Sequence, residues 1–456
     1  MAGIAFELRK ILGKRNLSAI FTAFGYSFAL SSGPYFITIT SLILVNFLGQ
    51  GLVEDARQLT QFQVVVTHIM AISLIMNGFS NLFLIRYLSD LIFVGKTELI
   101  VPNMMGAIFL NMFIGFALSL PLSIYLLAEH GGYPFAFLFT KCVTVMMGVW
   151  TLNIILTGFK SYTFILLAYF LGYTLFLILS FFLITFGLPG LMFAFFIANF
   201  LIFSMFLGYM LKNYYFENLL SFDFLREGKY KSLILTGFFY NLGIWADKLV
   251  FWYHPYTSTK AIGPISYSVV YDIPVFLAYL SIAPGMSAMF LKVEWEFAEH
   301  YDRYYDAVRE GDTLDKIYLY GDELISSARS VLLDTFRVQL IFSIFIVIMQ
   351  ELIFSLLRIP LVYIPLFDIL LMGTSLQVVF LSLVALIFYF SKLYYALLTT
   401  MVFATANLFF SFLSIHIGPY FYGYGFALSV FISLILGIVL LRRFLHDIHY
   451  YTFMHI

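Results

Sequence analysis

Charge is what this sequence has least of. Only 11% of its 456 residues are Asp, Glu, Lys or Arg, roughly half the usual share of about 25% in a soluble domain. Hydrophobic residues make up 62% and aromatics 20%. Too few polar groups remain to cover a water-facing surface, which excludes the soluble globular and disordered classes. Cysteine is nearly missing as well. Cys142 stands alone in an apolar stretch, so no disulfide within the chain and no Cys-based metal site can form. Neither sign of charge is in excess, with 25 Lys and Arg against 25 Asp and Glu, and this balance predicts no nucleic-acid partner. The GxxxxGK, GxGxxG, HExxH and GxSxG patterns are absent, as is any Asp-x-Asp pair. The eight histidines are scattered, with His446, His449 and His455 close to the C-terminus. No catalytic constellation, metal site or cofactor is expected. Energy for any work must come from an ion gradient, a partner or the polymerisation of a substrate.

What is present is long apolar runs. They fall near residues 18–49, 61–86, 100–128, 134–157, 162–187, 189–211, 232–253, 271–292, 331–357, 365–390, 393–416 and 419–441. Each is close to the 20–25 residues that span a bilayer as a helix, which predicts an all-α polytopic membrane protein with about twelve spans. Gly187-Leu188-Pro189 and Gly418-Pro419 cut runs that would otherwise be too long. The first run, Asn16–Val53, holds 38 uncharged residues. It reads as one helix kinked at Ser31-Ser32-Gly33-Pro34. With the N-terminus inside, twenty of the 25 Lys and Arg fall in cytosolic segments and three (Arg57, Lys260 and Arg358) fall outside. Both termini are therefore expected in the cytosol. The segment Glu7–Arg15, within residues 1–15, reads as an amphipathic helix on the inner face. Six spans precede a cytosolic linker at 213–231 and six follow it. Two six-helix lobes are expected, at 16–212 and 232–443, with a cytosolic tail at 444–456. Alternating-access transporters are laid out in this way.

Ionisable residues inside spans are costly and face a cavity or a partner. Lys141, Asp247, Lys248 and Glu351 are all expected about 10 Å below the outer surface, at 1.5 Å per helical residue. Asp247 and Lys248 are sequence neighbours and point apart on a helix, so at least one is expected to pair with another span. This layer reads either as a pathway lining and outer gate or as structural pairing with snorkelling lysines. Trp245, Trp252 and Tyr271, followed by Asp272, lie at a suitable depth to stack on sugar rings. Asn77, Asn153, Asn199 and Asn241 are mid-span amides suited to interhelical hydrogen bonds, and Pro284 should kink its helix.

The largest piece outside the spans is Val293–Ser330. From Glu294 to Asp334 it carries eleven acids against four bases. Two apolar stripes at helical spacing flank Gly311-Asp312-Thr313, where Asp312 or Thr313 would cap the second helix. This is a cytosolic helical hairpin. It serves either to pack on neighbouring helix ends or, through Glu299, Asp302, Asp306 and Glu310, to dock a partner.

Several strings are distinctive beyond ordinary membrane sequence: Met1-AGIAFELR-Lys10, Ser31-Ser-Gly-Pro34, Trp245-ADKLVFWYH-Pro255, Tyr271-DIPVFLAYLSIAPG-Met286 and Glu296-FAEHYDRYYDAVRE-Gly311. In these, and over essentially its whole length, the chain resembles the PelG family, the transporter subunits of bacterial Pel exopolysaccharide systems. The resemblance implies a distant relation to MATE-like and oligosaccharide-flippase transporters. It implies transport of an N-acetylgalactosamine and N-acetylglucosamine polymer across the inner membrane during biofilm matrix production. Implied partners are a cytosolic glycosyltransferase and other membrane subunits, one of them a cyclic di-GMP receptor, with membrane lipid around the chain. It supplies no catalytic residues. Among alternatives, a major-facilitator transporter fits poorly, because the longest loop follows the eighth span. A flippase for pyrophosphate-linked lipids would need clustered cations, whereas only Lys141 and Lys248 lie within spans. An ion-coupled MATE-like antiporter and a non-transporting anchor for the synthase are the other readings.

Overall fold

The structure is a computed structural model and describes residues 17–52, 55, 57–228 and 230–454. The expected amphipathic segment at 1–15 lies outside the described residues. The apolar runs form helices α1 (Leu17–Gly49), α2 (Arg57–Phe93), α3 (Ile100–Gly158), α4 (Tyr162–Leu183), α5 (Gly187–Asn213) and α6 (Lys231–Tyr253). A two-stranded antiparallel hairpin follows, β1 (Thr259–Ile262) and β2 (Ile265–Tyr267). Then come α7 (Asp272–Leu280), α8 (Ala283–Leu291), α9 (Ala298–Glu310), α10 (Leu314–Leu356), α11 (Ile364–Tyr389), α12 (Leu393–Ile417), α13 (Tyr424–His446) and α14 (Ile448–Met454). Among the described residues, ten stretches are long and apolar enough to cross a membrane. One of these, Tyr162–Asn213, contains both α4 and α5. Counting those two apart and adding α6, which is 23 residues long, gives the twelve spans expected.

The breaks fall where backbone chemistry requires them. α3 is interrupted at Gly132, whose φ of 78° and ψ of 163° are not helical, so its two arms are the third and fourth spans. Gly187 turns α4 into α5 with a φ of +64°, a conformation that costs glycine little. The helix α1 carries Pro34 inside it, and the Thr38 hydroxyl donates to the Pro34 carbonyl at 2.9 Å.

By count of helices the divide falls in the linker 213–231. By packing, one compact unit is Gly33–Val269, and the other joins the described residues up to Ser32 to those from Val270 onward. Within Gly33–Val269 the linker is strapped to the start of α3. Ser221 N donates to Pro102 O at 3.0 Å, and Phe224 N donates to the Asn103 side chain at 3.2 Å. The crossing of α2 and α6 runs over two glycines. A methyl group on Gly78 would stand 2.7 Å from the Gly237 carbonyl oxygen, and one on Gly237 would strike that of Gly78. Small residues are what allow two membrane helices to approach this closely. Beside this crossing, Asn77 donates to Met147 O at 2.7 Å, and Asn111 donates to Ser80 Oγ at 2.8 Å and Thr151 Oγ1 at 2.9 Å. The buried amides thus tie α2 to both arms of α3.

In the other unit the expected kink at Pro284 is a full break between α7 and α8. Gln339 of α10 bridges it. Its Oε1 accepts from Gly285 N at 3.2 Å, and its Nε2 donates to Ser281 O at 3.1 Å. Backbone groups freed in an apolar layer need such partners. The hairpin expected at 293–330 is present. A π-helical turn, Lys292–Phe297, leads into α9. Gly311, left-handed at φ 72°, ends α9, and Thr313 caps α10 in extended conformation. The second arm runs without interruption into the tenth helix, 43 residues in all. The apolar stripe of α9 packs inward: Phe297 meets Tyr389 at 5.2 Å and Phe390 at 5.7 Å, and Tyr301 meets Tyr389 at 5.6 Å. The Tyr304 hydroxyl lies 3.1 Å from His449 Nδ1 on α14. Burial pushes the His449 imidazole below its ordinary pKa, against the opposing pull of Asp322.

The glycine crossing gives a direct test. Gly237→Ala should lower the thermal midpoint of the purified protein, by about 1–3 kcal/mol of overpacking. Gly208→Ala, where a new Cβ meets nothing within 4 Å, should leave the midpoint unchanged or raise it slightly. Equal midpoints for the two variants would contradict the close approach.

Candidate functional site

The charged pair of α6 is buried within Gly33–Val269. Asp247 is fully buried and Lys248 nearly so. The expectation that these neighbours point apart is corrected by the structure. Lys248 Nζ lies 3.2 Å from both Asp247 carboxylate oxygens and donates to Ile244 O at 2.9 Å. The physical reason is the length of the lysine stem. Four methylenes let the ammonium fold back along the helix to a carboxylate that its own Cβ does not face. The same ammonium sits 5.9 Å from the Trp245 ring centroid, a cation–π distance. Trp245 lies 6.0 Å from Trp252, and Trp252 stacks at 4.4 Å on His68 of α2. His68 Nδ1 is 2.9 Å from Val64 O, while its Nε2 is buried with no hydrogen-bond partner. Four of the sequence-derived residues, Trp245, Asp247, Lys248 and Trp252, therefore lie together on α6, and Trp252 forms its seam with α2 through His68.

The other candidates lie elsewhere. Lys141, on the second arm of α3, is exposed and makes no ion pair among the described residues. In the second unit, Glu351 is exposed on α10. Tyr271 is fully buried and caps the start of α7, with Asp272 in that helix's first turn, where an acid complements the helix dipole. On the hairpin, Asp302, Asp306 and Glu310 are exposed and Glu299 is half-buried. Part of this acidity is internally matched. Arg303 bridges Glu299 at 3.1 Å and Glu323 at 3.2 Å, and Arg309 pairs with Asp306. The mid-span amides divide. Asn77 bonds between helices, whereas Asn199 and Asn241 donate to carbonyls four residues back in their own helices, and Asn153 Oδ1 is buried with no hydrogen-bond partner.

Three residues escaped the sequence reading: His68, Gln339 and Asp368. Each is a single polar residue in an apolar run, with no sequence signal naming its partner. For Asp368 of α11 the signal is an ionisable side chain within a span. Its Oδ1 is buried with no hydrogen-bond partner. Among the described residues no group of three His, Cys, Asp or Glu side chains could hold a metal ion.

The twelve apolar spans define a multi-pass membrane protein, and the fold is that of MATE transporters. It is similar to the outward-facing conformation of a multidrug resistance MATE family transporter of the MOP superfamily, with TM-score 0.64, 14% identity, and 92% of this chain and 96% of that chain covered. The inward-facing conformation of such a transporter matches with TM-score 0.61 and 15% identity over 91% and 95%. A MOP superfamily transporter from Pyrococcus furiosus Vc1 (DSM3638) matches with TM-score 0.56 and 15% identity over 92% and 96%. No curated protein matches. Residues 1–453 match the PelG family, described as an exopolysaccharide exporter (EPS-E), and the chain belongs to that family. It is a transporter and not an enzyme.

The buried pair sets the prediction here. Lys248→Met removes the ammonium bridging Asp247 and should destabilise the protein by about 3–5 kcal/mol, the cost of breaking a buried ion pair from one side. Combining it with Asp247→Asn should recover most of that loss. Thermal midpoints of the two variants measure the difference. A double variant no more stable than Lys248→Met alone would contradict direct pairing.

Proposed function

We propose that this chain carries a Pel-type exopolysaccharide, an N-acetylhexosamine polymer, across the bacterial inner membrane for biofilm matrix formation. In this reading it works beside a cytosolic glycosyltransferase and other Pel inner-membrane subunits, including a cyclic di-GMP receptor. The observation that carries the reading is membership of an exopolysaccharide exporter family over residues 1–453. The chemistry of the spans supports it. An anionic substrate calls for clustered cations, yet the buried ammonium Lys248 is matched by Asp247 beside it. A neutral sugar chain asks instead for aromatic faces and hydrogen-bonding groups, and the half-buried Trp245 would supply one such face. The positive-inside count puts both termini and the hairpin in the cytosol, where Glu299, Asp302, Asp306 and Glu310 would meet the glycosyltransferase.

A second reading, an ion-coupled antiporter of small solutes, is favoured by Asp368, whose carboxyl is held by Gln350 while its Oδ1 is buried without a hydrogen-bond partner and suits a proton or cation. The two readings separate in a strain lacking its own exporter. Replacing Glu299, Asp302, Asp306 and Glu310 together with Lys should abolish most polymer secretion and co-purification of the glycosyltransferase. The transporter's level in the membrane should not change. Asp368→Asn should leave secretion intact if polymerisation drives export, and abolish transport if a cation does. Undiminished secretion and co-purification with the four-lysine variant would refute docking at the hairpin.

A further inference from the structure

The far end of α13 presents a feature that polymer transport does not require. One face of this helix is exposed and apolar along Leu428, Ile432, Ile435 and Val439, spaced four, three and four residues apart. The same face continues, at the same spacing, into Arg442 and His446, with Arg443 alongside. The exposed stripe therefore ends in two guanidinium groups and an imidazole. These residues, with Val439 and Asp447, line a shallow cavity of about 340 Å³ that is largely open to the surface. Asp447 is engaged by His446 Nδ1 at 2.7 Å, and among the described residues no ion pair matches Arg442 or Arg443. Past this point the chain turns into α14, which buries Ile448 and leaves Tyr450, Phe453 and Met454 exposed on one face. Aromatic and apolar side chains beside a cationic cluster at the end of a spanning helix are the signature of headgroup depth.

We propose that this cavity is a binding site for an anionic phospholipid. The acyl chain lies along Leu428–Val439, the phosphodiester is held by Arg442 and Arg443, and the face of Tyr450, Phe453 and Met454 is set in the same interface. Charge selects an anionic lipid over a zwitterionic one: two unmatched guanidiniums offer forked hydrogen bonds to phosphate oxygens. The continuous apolar stripe selects a lipid over a free phosphate, which would gain nothing from it.

The test uses the full-length protein in detergent, titrated with dioleoyl phosphatidylglycerol, dioleoyl phosphatidylcholine or inorganic phosphate, with bound lipid counted by native mass spectrometry. Phosphatidylglycerol should bind more tightly than phosphatidylcholine, and equimolar inorganic phosphate should not displace it. The double variant Arg442→Gln, Arg443→Gln should weaken phosphatidylglycerol binding by roughly thirtyfold. His446→Glu, at an exposed position that tolerates a polar side chain, should also weaken it by placing a carboxylate in the cavity. Phosphatidylglycerol binding unchanged in either variant would overturn the proposal, as would equal binding of phosphatidylcholine or displacement by inorganic phosphate.

Discussion

The polar groups that this chain carries into an apolar layer depend on partners inside the protein, and most of them have one. Water is absent there, and an unsatisfied backbone or side-chain group costs several kcal/mol. The most telling places in the structure are answers to that demand. Gln339 spends both ends of its amide on the break between α7 and α8. Asn77 and Asn111 close a network with Ser80 and Thr151 across three helical segments. Lys248 folds back on Asp247 rather than facing hydrocarbon alone. An interhelical hydrogen bond in a membrane averages only about 0.6 kcal/mol. Such contacts specify which helices meet more than they hold them together. Close packing over Gly78 and Gly237 does the rest.

The same demand bears on function. A transporter has to keep some polar groups available to its cargo while burying the others in pairs. On α6 the charge is neutralised locally, and the seam with α2 is aromatic surface with the unpartnered Nε2 of His68. The hairpin presents the opposite character. The aromatic stripe of its first arm is consumed by Tyr389, Phe390 and His449, while Asp302, Asp306 and Glu310 are exposed along with Leu314 and Leu319.

Much of the fold was legible in the sequence. Apolar runs and the punctuation of Gly187, Gly311 and Gly418 mark where most helices lie and break, because a positive φ and an uncharged run leave few alternatives. The β1–β2 hairpin was not foreseen. Its strands are only four and three residues long, too short for alternation to register, although Gly263-Pro264 supplied a turn. At the candidate site, the sequence pointed to Trp245, Asp247, Lys248 and Trp252, because charge and indole are rare in spans. It misjudged how Asp247 and Lys248 pair, since helical geometry constrains Cβ directions and not the reach of a lysine. His68 and Gln339 were hidden for another reason. Their meaning lies in what they touch, and Trp252 and Gly285 are far away along the chain.

The proposed cargo is an N-acetylhexosamine polymer. The most direct measurement is flux of fluorescently labelled N-acetylhexosamine oligomers into proteoliposomes containing the purified chain, with and without imposed proton and sodium gradients, beside a cationic dye as competing cargo. The account predicts oligomer flux above that of empty liposomes and no gradient-driven movement of the dye. Dye movement without oligomer flux would contradict it.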